Sequence, residues 1–194
     1  MKKNTKFPLI SGHLSLDLVN TEVVRNGTRI DLLDSAEDLI NWINTLDKKG
    51  ILSPKQFSSD VEEWAIDALS LIKCLRLSLR KVFEDFADGK NVKEEWMKDL
   101  ESFIKKAPFT YLLEEKTLIT RPIGKPEDVL ASLIAYDAMK LFAEDKLSNM
   151  HRCANPDCVL LFMDTRGRRK WCSMKICGNR KKVTRHLKRK NVRE

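Results

Sequence analysis

Over the first 150 residues the apolar positions recur mainly at helical spacing; beyond them the pattern gives way to cysteines and dense positive charge. Asp34-Ser35-Ala36-Glu37 resembles a capping box, and Leu39, Ile40, Ile43 and Leu46 follow as one stripe that Gly50 ends. The longest stripe predicts a helix from about Asp60 to Asp88, with Trp64, Ala68, Ile72, Leu75, Leu79 and Phe83 on its inner face. Cys74 lies within it and reads as a small buried hydrophobe. Asn91 and Glu94 open a third helix carrying Trp96, Leu100, Phe103 and Ile104 inward. Phe109–Leu113 and Leu118–Arg121 flank a polar turn and predict a β-hairpin. Pro126, followed by Glu127 and Asp128, starts a fourth helix reaching about Lys146. Residues 7–33 stay ambiguous: Leu14, Leu16 and Leu18 have strand spacing, while Leu14, Leu18 and Val19 fit a short helix. A turn at Arg25-Asn26-Gly27-Thr28 follows. The fold class expected is mainly α with one or two β-hairpins: a helical domain over residues 1–148, and a small treble-clef-like module over 149–194.

Charge sharpens that division. The formal net charge is +8, yet from His151 to Glu194 fourteen basic side chains face three acids, leaving residues 1–150 at −3. A mildly acidic body with a basic end points to a polyanion partner for the end. The N-terminal lysines precede an apolar stretch broken by Pro8, Ser11, Gly12 and Asp17, unlike a signal peptide, and no run of eighteen apolar residues occurs. A cytoplasmic protein is expected, and reducing conditions there favour metal thiolates over disulfides.

Cys153-Ala-Asn-Pro-Asp-Cys158 and Cys172-Ser-Met-Lys-Ile-Cys177 are two close cysteine pairs separated by thirteen residues. Each pair turns the chain so that two thiolates meet one ion, and the insert folds back to join the pairs. Four soft thiolates in a closed shell predict a structural Zn2+ at Cys153, Cys158, Cys172 and Cys177, with no open position for catalysis. The spacings match neither common ferredoxin pattern. His151 and His186 are alternative ligands of lower rank. The insert predicts a hairpin, Val159–Met163 against Arg169–Trp171, with Gly167 at its tip.

Arg166, Arg168, Arg169 and Lys170 crowd that insert, and Arg180, Lys181, Lys182, Arg185, Lys188 and Arg189 follow the last cysteine. Val183 and Leu187, one turn apart, predict a helix packed on the metal module with its cations outward. These ten residues are the candidate nucleic-acid contacts. The body has no nucleotide-binding glycine loop, histidine pair or nucleophile motif, so no enzyme is expected. Its one polar cluster is His13, Asp17, Asn20 and Thr21. Local turn and cap hydrogen bonds are the simpler reading of these four, the lining of a small-molecule pocket the functional one.

Cys177-Gly178-Asn179-Arg180, taken with all four cysteines, Trp171 and the basic segment, resembles the bacterial CGNR zinc finger family. Leu16-Asp17-Leu18-Val19-Asn20-Thr21 and Asp31-Leu32-Leu33 are similar to the domain that usually precedes this finger, described as a stress-induced transcription regulator. The resemblance implies zinc at the four cysteines and double-stranded DNA at the basic helix beginning near Asn179. The function expected is a transcription regulator with a body that senses an effector or dimerises. The alternatives are an RNA-binding or ribosome-associated protein, or an enzyme with its pocket near His13 and Asn20. One finger reads few base pairs, which favours a homodimer.

Overall fold

The computed structural model of this protein describes residues 6–179. Five helices build the body: α1 (Leu14–Val19), α2 (Ala36–Asp47), α3 (Val61–Ala87), α4 (Glu95–Lys106) and α5 (Pro126–Ala143). Three two-stranded antiparallel sheets accompany them: β1 (Glu22–Arg25) with β2 (Thr28–Asp31), β3 (Phe109–Glu114) with β4 (Thr117–Pro122), and β5 (Met150–Arg152) with β6 (Leu161–Met163). The fold is mainly helical with a small C-terminal cysteine module, as expected.

The ambiguous N-terminal stretch resolves as a helix because all six residues of α1 are buried. Enclosed on every side by α3, α5 and β6, it has no solvent face to impose a period. Asn26 and Gly27 then take positive φ (52° and 78°) in a two-residue turn, the conformation that matches the twist of paired strands. The cap of α2 sits one residue later than the sequence suggested. Ser35 Oγ accepts from the Asp38 N–H (3.2 Å), and Asp38 returns a bond to the Ser35 N–H (3.1 Å).

α3 is the spine, amphipathic through Trp64, Ala65, Ala68, Ile72, Leu75, Leu79 and Phe83. α5 is buried almost all round, with Val129 to Ala135 continuously inside. Phe86, Trp96 and Phe142 meet edge-on at 5.8–6.5 Å, joining α3, α4 and α5. α4 begins at Glu95, and no side chain caps it, so Asn91 is not the expected cap. α5 stops at Ala143, short of Lys146: Asp145 turns left-handed (φ 52°), and a 3₁₀ turn, Lys146–Asn149, leads into β5.

Two further expectations are corrected. Cys74 is exposed, because it falls beside the inner stripe of α3 rather than on it. The Leu161–Met163 strand pairs with Met150–Arg152, not with Arg169–Trp171. Closing the first cysteine pair brings its own flanks together, and the Cys153 N–H bonds the Leu160 carbonyl (3.2 Å).

Asn20 joins this strand to the body. Its Nδ2 donates to the Leu161 carbonyl and its Oδ1 accepts from the Leu161 N–H, both at 3.0 Å and fully buried. Asn20→Ala leaves two buried backbone groups without partners and should cost about 2 kcal/mol in chemical denaturation.

Candidate metal centre

The centre is assembled from three local structures. The β5–β6 hairpin presents Cys153 and Cys158, with the Asn155 carbonyl accepting from the Cys158 N–H (3.0 Å) to hold the turn. The Ala154 N–H bonds the Lys170 carbonyl (2.8 Å) and draws the Cys172 segment alongside. A single helical turn, Met174–Gly178, carries Cys177; Ser173 caps it by accepting from the Ile176 N–H (3.1 Å). A Cβ at Gly178 would lie 2.5 Å from the Met174 Sδ, so any side chain there must displace Met174.

The four Sγ atoms lie within 4.8 Å of one another, and Cys158 Sγ is 3.9 Å from Cys172 Sγ. A tetrahedron with Zn–S bonds of ~2.3 Å has sulfur–sulfur edges of about 3.8 Å, so the cluster fits the ion. Cys153, Cys172 and Cys177 are buried and Cys158 is partly so. N–H groups already point at the sulfurs: Cys172 N–H to Cys153 Sγ (3.4 Å) and Asn155 Nδ2 to Cys177 Sγ (3.5 Å). Such outer hydrogen bonds orient metal-bound thiolates.

Electrostatics agree with the donor set. Hydrogen bonds from the thiols of Cys158 and Cys172 hold Cys153 down to about 2, and burial only partly opposes them. The same bonds, seen from the other side, push Cys158 up to about 12 and push Cys172 up as well. A cation bound by these thiols takes the place of their protons, so metal binding and thiol deprotonation go together. Zn2+ bound here closes the module and, with four protein ligands, leaves no open position.

His151 is not part of the cluster; its ring packs on Phe162 at 5.8 Å. Trp171 lies half-buried against the cysteines with Leu160 and Phe162. His186 and the candidate contacts Arg180, Lys181, Lys182, Arg185, Lys188 and Arg189, with the helix expected to carry them, lie outside the described residues. The insert cations Arg166, Arg168, Arg169 and Lys170 are all exposed. Asp164 shapes their loop by accepting from the Arg166 N–H (3.3 Å) and the Arg169 N–H (2.6 Å), and Gly167 turns it with φ 61°. The backbone bond from Arg169 holds the Asp164 carboxyl below the usual carboxylate range. Arg169 has an architectural role: its guanidinium donates to the Met163 carbonyl (3.1 Å) and the Cys172 carbonyl, 4.6 Å from the Phe162 ring centre.

The polar cluster of the body is engaged by the chain itself. Asp17 accepts from the N–H groups of Ile10, Ser11 and Gly12 and from Ser11 Oγ (2.7–3.2 Å), while burial pushes its carboxyl up. Thr21 Oγ1 donates to the Leu18 carbonyl (2.7 Å), Asn20 bonds Leu161, and His13 Nδ1 stands 3.5 Å from Asp137.

The buried cations of α3 were not among the residues expected from the sequence. Arg76, 2% exposed, forms two 2.6 Å bonds to Asp31 and one of 2.8 Å to Thr21. Arg80 contacts Glu22 (2.5 Å), Glu84 (3.2 Å), the Val19 carbonyl and, across to the module, the Val159 carbonyl (3.2 Å). Arg152, next to Cys153, returns the connection by gripping Asp88 (2.5 Å) and Glu84 (3.3 Å). A signal existed: Arg76 and Arg80 occupy the Ile72–Leu75–Leu79–Phe83 stripe, where the helical period calls for apolar residues.

Comparison with known families agrees with this anatomy. Residues 150–190 match the CGNR zinc finger. Residues 12–145 match the family described as "Putative stress-induced transcription regulator", abbreviated ABATE. The chain belongs to the ABATE family. Its ABATE domain comprises the helical body and its finger the four-cysteine centre, the order inferred from the sequence. No curated protein matches the chain. Among the described residues no helix is long and apolar enough to cross a membrane.

Proposed function

We propose that this ABATE protein regulates transcription by binding double-stranded DNA through its finger. The observation that carries the reading is the placement of Arg166, Arg168 and Lys170. They stand exposed on a loop fixed by Asp164 and Gly167, on a module closed by metal, and no ion pair among the described residues engages their charged ends. Free cations on a rigid support suit phosphate contact, which positions a protein on the duplex. The chain continues from Asn179 into Arg180, Lys181, Lys182, Arg185, Lys188 and Arg189, which extend the same charge. In this reading residues 1–148 form the regulatory body, residues 149–194 the reading head, and two copies act together on one site in the cytoplasm.

Salt titration of duplex binding tests it. The logarithm of affinity should fall with the logarithm of salt by about 0.9 per phosphate contacted. The triple charge reversal R166E/R168E/K170E should weaken binding and reduce that slope by up to about 2.7, with zinc content unchanged. An unaltered slope would remove this loop from the interface. Tighter binding to structured RNA than to duplex DNA would favour the RNA-binding alternative.

A further inference from the structure

Among the described residues a cleft of ≈ 780 Å³ opens where the finger meets the body. None of His13, Asp17, Asn20 or Thr21 lines it. One wall comes from the body: the Lys6–Ile10 segment, the first hairpin through Val23, Val24 and Arg25, and the end of α2 at Thr45 with Lys49 beyond it. The other wall is the finger, from Leu160 to the Ser173–Cys177 turn, and includes the metal-binding Cys158 and Cys177. The volume is that of pockets taking drug-sized molecules.

Two features define what fits. Apolar side chains line both walls, half-buried at Pro8, Leu9, Val23, Val24 and Ile176. Four exposed cations, Lys6, Arg25, Lys49 and Lys175, border the cleft against one acid, Asp157, a local excess of three positive charges. No ion pair among the described residues engages those four. Like charges in a confined space repel, so the complement is an anion. A phosphate chain would satisfy the rim but leave the apolar walls without a partner. An apolar body with one anionic group satisfies both.

We propose that this cleft binds a small organic anion, a carboxylate or sulfonate on an aliphatic or aromatic body. The walls are held for the task. Asp17 clamps Ile10, Ser11 and Gly12 at the end of the N-terminal wall, and Arg80 ties Glu22 of the first hairpin to Val159 of the finger. A bound anion touches body and finger at once, the position from which a ligand biases how the two are seated.

Calorimetry with the zinc-loaded full chain and decanoate tests the site, with decanol and inorganic phosphate as comparison probes. Decanoate should bind saturably at one per chain and more tightly than either probe. The double reversal R25E/K49E should weaken it about tenfold or more, whereas K105E on α4 should not. Equal binding of decanol, an unchanged affinity in R25E/K49E, or no decanoate binding would each overturn the assignment. If R25E/K49E spares decanoate and weakens duplex DNA instead, the rim cations belong to the nucleic-acid surface and the small-molecule site is refuted. Failure of DNA binding by the unaltered protein would refute only the reading of the finger.

Discussion

Replacing Cys172 by serine should release the metal and unfold the chain from about Met150 onward while α2 to α5 stay formed. Cys172 is fully buried and supplies more than a ligand. Its N–H bonds Cys153 Sγ and its carbonyl accepts from Arg169, so the ion, the first cysteine pair and the basic loop share one segment. Without metal the module retains little: Leu160, Phe162 and half-buried Trp171 and Ile176 pack mainly on the cysteines themselves. That is too small a core, and structural zinc contributes on the order of 10–16 kcal/mol apparent in comparable modules. The body has its own core, although Met150 and Leu161 belong to it and their loss should lower its melting temperature. Far-UV circular dichroism with limited proteolysis checks this: helical signal retained, cleavage confined to the C-terminal segment. A protease-resistant finger in the zinc-free variant would contradict it.

Asp31→Asn should cost about 3 kcal/mol, because it leaves the Arg76 guanidinium buried without its counter-charge. The figure lies at the low end for a broken buried pair, since Asp31 keeps 24% of its side chain exposed. Burial raises the Asp31 carboxyl, but bonds from Arg76, the Leu33 N–H and Lys73 outweigh it and hold it well below the usual carboxylate range. The sign follows. The unfolded chain takes up a proton near pH 4 and the folded chain does so only in stronger acid. This pair's contribution is therefore complete above about pH 4 and drains away as the pH falls below it. Urea denaturation between pH 7 and 3 should show a steep acid loss in the unaltered protein and a shallower one in D31N. Parallel curves would mean that Asp31 does not anchor α3 electrostatically.

Residues with one solvated face were legible from sequence. Val61–Ala87 and the β3–β4 hairpin emerged close to their observed bounds because the alternation of buried and exposed positions is itself the signal. α1 escaped because full burial erases the alternation. Arg76 and Arg80 escaped because a charge on a helix is ordinarily solvated, and their partners Asp31, Glu22 and Val19 lie 45 to 61 residues away in sequence. The cysteine spacing was enough to find the metal donors, since four thiolates converge only if the chain reverses between the pairs. It did not say which strands pair. The first pair is closed by its own flanks, and the insert between the pairs forms a basic turn instead of a hairpin. From sequence Arg169 is only a candidate phosphate contact; exposed as it is, its guanidinium also bonds two carbonyls that no local pattern pairs with it.

The most direct test is selection of bound fragments from a random duplex pool by the zinc-loaded full chain at near-physiological salt. The unaltered protein should enrich one shared site, and Cys172→Ser should enrich none. Uniform, salt-sensitive retention of all fragments, or equal retention by the zinc-free variant, would contradict this.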